Sequence, residues 1–174
     1  MKKIILITFI VIAAGAGTLF AIKGKDTYDA SKYSASLTQG LSIGSTVNYT
    51  LPDQFDKEHT LDDSIEKLII VFTKSTGHRV KEFLKKEPKE YLSQRKSAFV
   101  ADISPMPVVI RNTFALPDLK KQHYSVELIY DKNIAKEFKK GIDTDSISIV
   151  TLDHKKITDI KQIESEEQLK EMLK

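Results

Sequence analysis

Three different spacings of apolar residues recur along the chain. Val47, Tyr49 and Leu51 alternate with polar neighbours, which predicts a half-buried strand closed by Pro52-Asp53. The run 68–72 is instead continuously apolar, the pattern of a strand covered on both faces, so helices must cover it. Val80, Phe83 and Leu84, at i, i+3 and i+4, supply one helix that starts near Thr76, is broken by Pro88 and continues briefly at Tyr91-Leu92. Residues 99–103 read as the next strand, and Ser104-Pro105-Met106-Pro107 as an extended loop, because each proline restricts the residue before it. Val108, Val109 and Phe114 give a further helical face that Leu116-Pro117 interrupts.

Residues 126–130 form another expected strand, 131–133 a turn, and 134–140 a short helix stopped by Gly141. Strands at 147–152 and 157–160 flank a four-residue connection, 153–156. Ser165 with Gln168 makes a capping box for a last helix with the apolar stripe Leu169, Met172 and Leu173. Strands and helices in this order predict an α/β domain, a mixed central sheet flanked by helices.

The N-terminus departs from these patterns. Lys2-Lys3 precede an uncharged run of 19 residues, 4–22, close to the ~20 needed to cross a bilayer. Ala14-Gly15-Ala16 also provides a small-residue cleavage site, so residues 1–22 read as a signal peptide or an N-terminal membrane anchor, and both readings export the rest. Residues 23–43, polar and without period, read as a tether, and 44–174 as one domain. The expected location is therefore periplasmic or extracytoplasmic, tethered to the inner membrane through the N-terminal segment.

The formal charge of +3 sits in this leader, since residues 1–25 hold four lysines and no acid and the remainder has 23 basic against 24 acidic residues. A near-neutral domain gives no electrostatic case for nucleic acid. The chain has no cysteine, which excludes disulfides, thiolate metal sites and a thiol nucleophile.

The entry Gly44-Ser45-Thr46-Val47 with Thr50-Leu51-Pro52-Asp53-Gln54, the strand Ile69-Ile70-Val71-Phe72, the helix with Lys81-Glu82-Phe83-Leu84, and the final hairpin and helix together resemble the thioredoxin-like fold. The variant is that of exported thiol-reducing and peroxiredoxin-type proteins. Val100-Ala101-Asp102-Ile103-Ser104-Pro105-Met106-Pro107 followed by Phe114-Ala115-Leu116-Pro117 is similar to a set of small, exported, uncharacterised bacterial proteins that lack the thioredoxin active site. In the register this resemblance implies, the two family cysteines fall at Gly77 and Val80. The family's cis-proline before the third strand is replaced by Gln122-His123-Tyr124-Ser125. No Gly-x-Gly-x-x-Gly turn follows a strand, so neither a flavin nor any other cofactor is expected.

Chemistry at the helix start has few candidates. Ser75, Thr76 and His78 include a hydroxyl and a base, but no acid lies nearby in sequence to orient the imidazole; Asp53 or Asp102 would approach only through the fold. Ser75 or Thr76 serves equally as a helix cap, with Gly77 giving a flexible first turn. The helix N-terminus with His78 and Arg79 suits a small anion, or a non-thiol enzyme. His59, His78, His123 and His154 have no metal-ligand spacing.

The leading expectation is a redox-inactive binding or accessory protein of the cell envelope with a protein partner. Its candidate surface comprises Ser75, Thr76, Gly77, His78, Arg79, Pro105, Met106, Pro107 and His123, with no catalytic residue assigned.

Overall fold

A computed structural model describes residues 24–174; the expected signal or anchor, 1–22, lies outside the described residues. Two sheets form. Strands β1 (Ser34–Leu37), β2 (Val47–Pro52) and β3 (Glu58–Thr60) make an antiparallel sheet. Strands β4 (Lys67–Val71), β5 (Ser97–Asp102), β6 (Glu127–Ile129), β7 (Ile147–Asp153) and β8 (Lys156–Ile163) make the central sheet in the order β6-β5-β4-β7-β8. β4, β5 and β6 are parallel, while β7 runs antiparallel to both β4 and β8.

Helices cover both faces, as the apolar run in β4 requires. Ile69 and Val71 face α1 (Lys74–Leu84), α2 (Tyr91–Gln94) and the last helix, packing with Val80, Phe83, Leu84, Tyr91, Leu169 and Leu173. Leu68 and Ile70 face the other way, onto Phe138 and the β2 residues Val47, Tyr49 and Leu51. Alternate residues of one strand thus serve two cores. Between β5 and β6 the chain forms α3 (Val108–Ile110), a π-helical stretch (Arg111–Ala115) and α4 (Leu116–Leu119). α5 (Lys132–Lys139) follows β6, and α6 (Glu166–Met172) ends the fold, with Ser165 and Gln168 forming the expected capping box.

Four local expectations change. The segment 23–43, expected as a tether, contributes β1 to the first sheet and buries Leu37 and Leu41 in the core, so the folded unit begins well before residue 44. Helix α1 is capped by Thr73, which makes a reciprocal box with Thr76, and not by Ser75 or Thr76.

The other two changes concern Pro117 and the hairpin. Pro117 does not end its helix: the Leu116 N–H donates to the Arg111 carbonyl five residues back, and the widened turn takes in the proline, whose missing N–H breaks a normal α-helical ladder. The β7–β8 connection is a two-residue turn, His154-Lys155, both at positive φ (46° and 66°), a hairpin geometry matched to strand twist. The expected connection of four residues, 153–156, is shorter by two because Asp153 and Lys156 pair with each other as the ends of the two strands.

Candidate functional site

Beyond the C-terminal ends of β4 and β5 lies a groove of about 710 Å³. The start of α1 (Lys74, Gly77, His78, Lys81) forms one wall and the loop Pro105-Met106-Pro107 with Ile110 and Phe114 the opposite one; Phe99, Ala101, Tyr124 and Val126 also line it. The lining is mostly apolar, and Ile110 and Phe114 are 44% and 65% exposed at its mouth. The sequence pattern places Phe114 on a buried helical face; the π-helical stretch changes the angular spacing and turns it outward.

Each wall has a local cause. Thr73 accepts from the Thr76 N–H while Thr76 Oγ1 accepts from the Thr73 N–H, fixing where α1 begins. Asp102, at the end of β5 with a fully buried side chain, accepts from the Ser104 N–H at 2.9 Å and so starts the proline loop. Its other oxygen lies 2.5 Å from Lys139 Nζ, as an ion pair without hydrogen-bond alignment. Lys81 and Asp118 form an ion pair across the groove, and it holds the Asp118 carboxyl below its ordinary pKa.

Segment 122–126 is pinned by Gln54. Its side chain donates to the Tyr124 carbonyl at 2.8 Å and accepts from the Val126 N–H at 2.9 Å, substituting for a strand neighbour. Tyr124 has a hydroxyl that is buried without a hydrogen-bond partner, and burial pushes its pKa up.

The expected surface residues divide. Gly77, His78, Pro105, Met106 and Pro107 meet at the groove. Thr76 is buried in the cap, and Ser75 is exposed, with its Oγ 2.9 Å from Thr73 Oγ1. Arg79, two residues past Gly77, projects from a different face of α1 and donates to the Glu164 carbonyl at 3.0 Å. His78 sits 3.9 Å from Glu82. His78 and Arg79 therefore do not converge on the α1 N-terminus as an anion site requires. His123 lines a separate 330 Å³ depression with Asp53, Phe55 and Ser125, its Nε2 3.0 Å from the Glu87 carbonyl.

A second polar cluster joins the two sheets. Asp53 Oδ2 is 3.0 Å from His59 Nε2, and Ser125 Oγ is 3.3 Å from both. His59 Nδ1 faces Glu127 Oε1 at 3.9 Å. Serine, histidine and two acids gather here, but the Ser125 hydroxyl and the Asp53 carboxylate share one ring nitrogen, and Glu127, at the other, is beyond hydrogen-bond reach at 3.9 Å. In an acid-supported base the hydroxyl and a hydrogen-bonded carboxylate occupy opposite nitrogens. The two carboxylates address different ring nitrogens, and among the described residues no group of three or more His, Asp or Glu side chains is arranged to hold a metal ion.

Burial acts to raise the Asp53 pKa, but the His59 bond and the N–H groups of Phe55 and Lys57 outweigh it and hold the carboxyl low. Glu127 is pushed up to about 7, mainly by burial, with Tyr49 and His59 only partly offsetting this. The Tyr49 hydroxyl approaches Glu127 without reaching hydrogen-bond geometry, so it and Glu127 Oε2 are buried without a partner. The β2–β3 hairpin brings Asp53 and His59 together, and the β2–β6 junction adds Ser125 and Glu127, which no spacing in the chain signals.

No family model matches the sequence, and no curated protein matches it in sequence. Solved structures do match in fold. A SCO1/SenC family lipoprotein from Bacillus anthracis aligns at TM-score 0.50 and 10% identity over 79% of this chain and 97% of its own. The thioredoxin domain of a thiol-disulfide oxidoreductase from Bacteroides vulgatus aligns at 0.49 and 13% over 77% and 99%. A peroxiredoxin-like protein from Aquifex aeolicus aligns at 0.45 and 12% over 79% and 92%. With its β6-β5-β4-β7-β8 sheet, α1 following β4 and a cysteine-free helix start, this chain has a thioredoxin-like fold.

Proposed function

We propose that the protein is a redox-inactive binding module of the cell envelope, held outside the cytoplasm by its N-terminal apolar segment, and that its groove takes an apolar stretch of another polypeptide. The observation that carries this reading is the groove itself. It is built where α1 begins, is mostly apolar, and is flanked by the stiff Pro105-Met106-Pro107 loop.

Without cysteine the chain offers no thiolate for disulfide exchange or peroxide reduction, so the groove's usefulness lies in its shape and surface. Met106 adds a flexible, polarisable side chain that adapts to varied apolar partners. The envelope location is supported by Lys2-Lys3 and the uncharged run 4–22. Among the described residues no helix is long and apolar enough to cross a membrane.

The test is a panel of fluorescent apolar and polar peptides titrated with the full chain. Apolar peptides are expected to bind and Phe114→Asp to weaken them at least tenfold. Equal affinity in wild type and Phe114→Asp, or no preference for apolar peptides, contradicts the reading.

A further inference from the structure

The chain enters the domain clamped against one wall of the groove. Asp26 Oδ1 accepts from Arg111 Nη2 at 2.5 Å, and the Asn112 side-chain amide donates to the Lys25 carbonyl at 3.0 Å. Tyr28 stacks on Tyr130, with centroids 4.7 Å apart and 6° between planes, and also against Tyr33 at 5.5 Å. The Arg111 guanidinium lies over the Tyr130 ring at 4.7 Å, and Arg111 is only 4% exposed. Arg111 and Asn112 belong to the same helical stretch that turns Ile110 and Phe114 outward.

This clamp limits how the domain sits relative to what precedes it. In the sequence only three chain steps, a reach of at most about 11 Å, connect the end of the apolar run at position 22 to Lys25, whose carbonyl Asn112 holds. Headgroup regions are only about 6 Å deep on each side of the hydrocarbon. An apolar run that ends inside the bilayer therefore brings the Arg111–Asn112 stretch down to the membrane surface, with no free linker to swing the domain away. The side chains there suit that surface. Ile110 and Phe114 lie about one helical turn apart, Tyr28, Tyr33 and Tyr130 are amphipathic rings of the interfacial kind, and Lys25, Lys120 and Lys121 suit anionic headgroups.

We infer that the Ile110–Phe114 ridge docks on the bilayer surface beside the N-terminal anchor, so that the groove opens toward segments emerging from the membrane. The inference rests on the tethered reading above. It selects an uncleaved anchor, and it names a lipid surface as what the ridge touches.

The natural absence of cysteine makes the test direct, since one introduced cysteine carries the only label. Full-length chains with Ile110→Cys, Phe114→Cys or His154→Cys are labelled with a fluorophore and reconstituted in phosphatidylcholine–phosphatidylglycerol vesicles containing a lipid with a shallow spin-label quencher. His154 is the control, at the β7–β8 turn; β7 pairs Thr151 with Lys67, so this turn lies at the opposite end of the sheet from the groove beyond Val71.

Quenching at 110 and 114 is expected to exceed that at 154 severalfold, and Arg111→Gln in the 114-labelled chain to reduce the excess by releasing the clamp. A vesicle-bound chain quenched equally at all three positions overturns the inference and leaves the tethered binding reading standing. A chain that does not associate with vesicles overturns the inference together with its membrane tether.

Discussion

Glu127 makes a quantitative claim about pH. Its carboxyl sits buried at the β2–β6 junction, facing Tyr49 from β2, His59 from β3 and Asp53 just after β2, and its pKa rises from 4.5 to about 7. Folding thus favours the protonated acid. The stabilisation is complete below the unfolded value of 4.5 and is lost as pH rises through the folded value near 7. At about 1.4 kcal/mol per pH unit of separation the full loss is about 3 kcal/mol, most of it between pH 5 and 8.

Replacing Glu127 with Gln keeps the volume and removes the titration. Urea unfolding followed by circular dichroism at several pH values between 5 and 8 is expected to show wild type losing about 2 to 3 kcal/mol across that range. Glu127→Gln should lose much less and be the more stable protein at pH 8. Asp53 contributes with the opposite sign in another window, because its lowered pKa supplies stability that is lost only as pH falls below the ordinary 3.8. Parallel pH profiles for wild type and Glu127→Gln refute the assignment of a strained buried acid at this junction.

Two further substitutions address the helix start. Thr73→Ala removes the α1 cap and should cost about 1 kcal/mol in urea unfolding, whereas Ser75→Ala should stay within about 0.5 kcal/mol; equal costs contradict the cap assignment. Gly77 is helical, and an added Cβ there meets nothing closer than Val71 Cγ2 at 3.7 Å, so Gly77→Ala should stabilise by about 0.5–1 kcal/mol. The same methyl intrudes on the groove lining and should weaken apolar peptide binding. Stabilisation with unchanged affinity would mean that no ligand approaches α1 closely.

What the sequence displayed, and what it concealed, follows from the range of the interactions. The two-sided burial of β4, the apolar face of α1 and the Ser165–Gln168 box are local patterns, and each emerges in the fold. Met106, Pro105, Pro107 and Gly77 meet because β4 and β5 are parallel neighbours, so the segments that follow their C-terminal ends emerge side by side; no local pattern of apolar spacing displays that pairing. Other features depend on contacts between residues far apart in the chain. The Asp26–Arg111 clamp spans 85 positions and converts an apparent tether into packed structure. Gln54 reaches 70 positions to Tyr124, and the Asp53–His59–Glu127 cluster forms only where two sheets abut. Phe114 departs from the expected buried face for a local reason, because a π-helical turn is not visible in a 3.6-residue period.

The central claim is that the groove holds another polypeptide, and in-cell photo-crosslinking addresses it most directly. A photoreactive residue replaces Met106 in the full chain, with the same residue at His154 as control, and adducts are mapped by mass spectrometry. The account expects a discrete adduct at 106, joined to an apolar stretch of its partner, that is absent at 154 and disappears when Phe114→Asp is added. Adducts of equal yield at both positions, or one at 106 that survives Phe114→Asp unchanged, would contradict it.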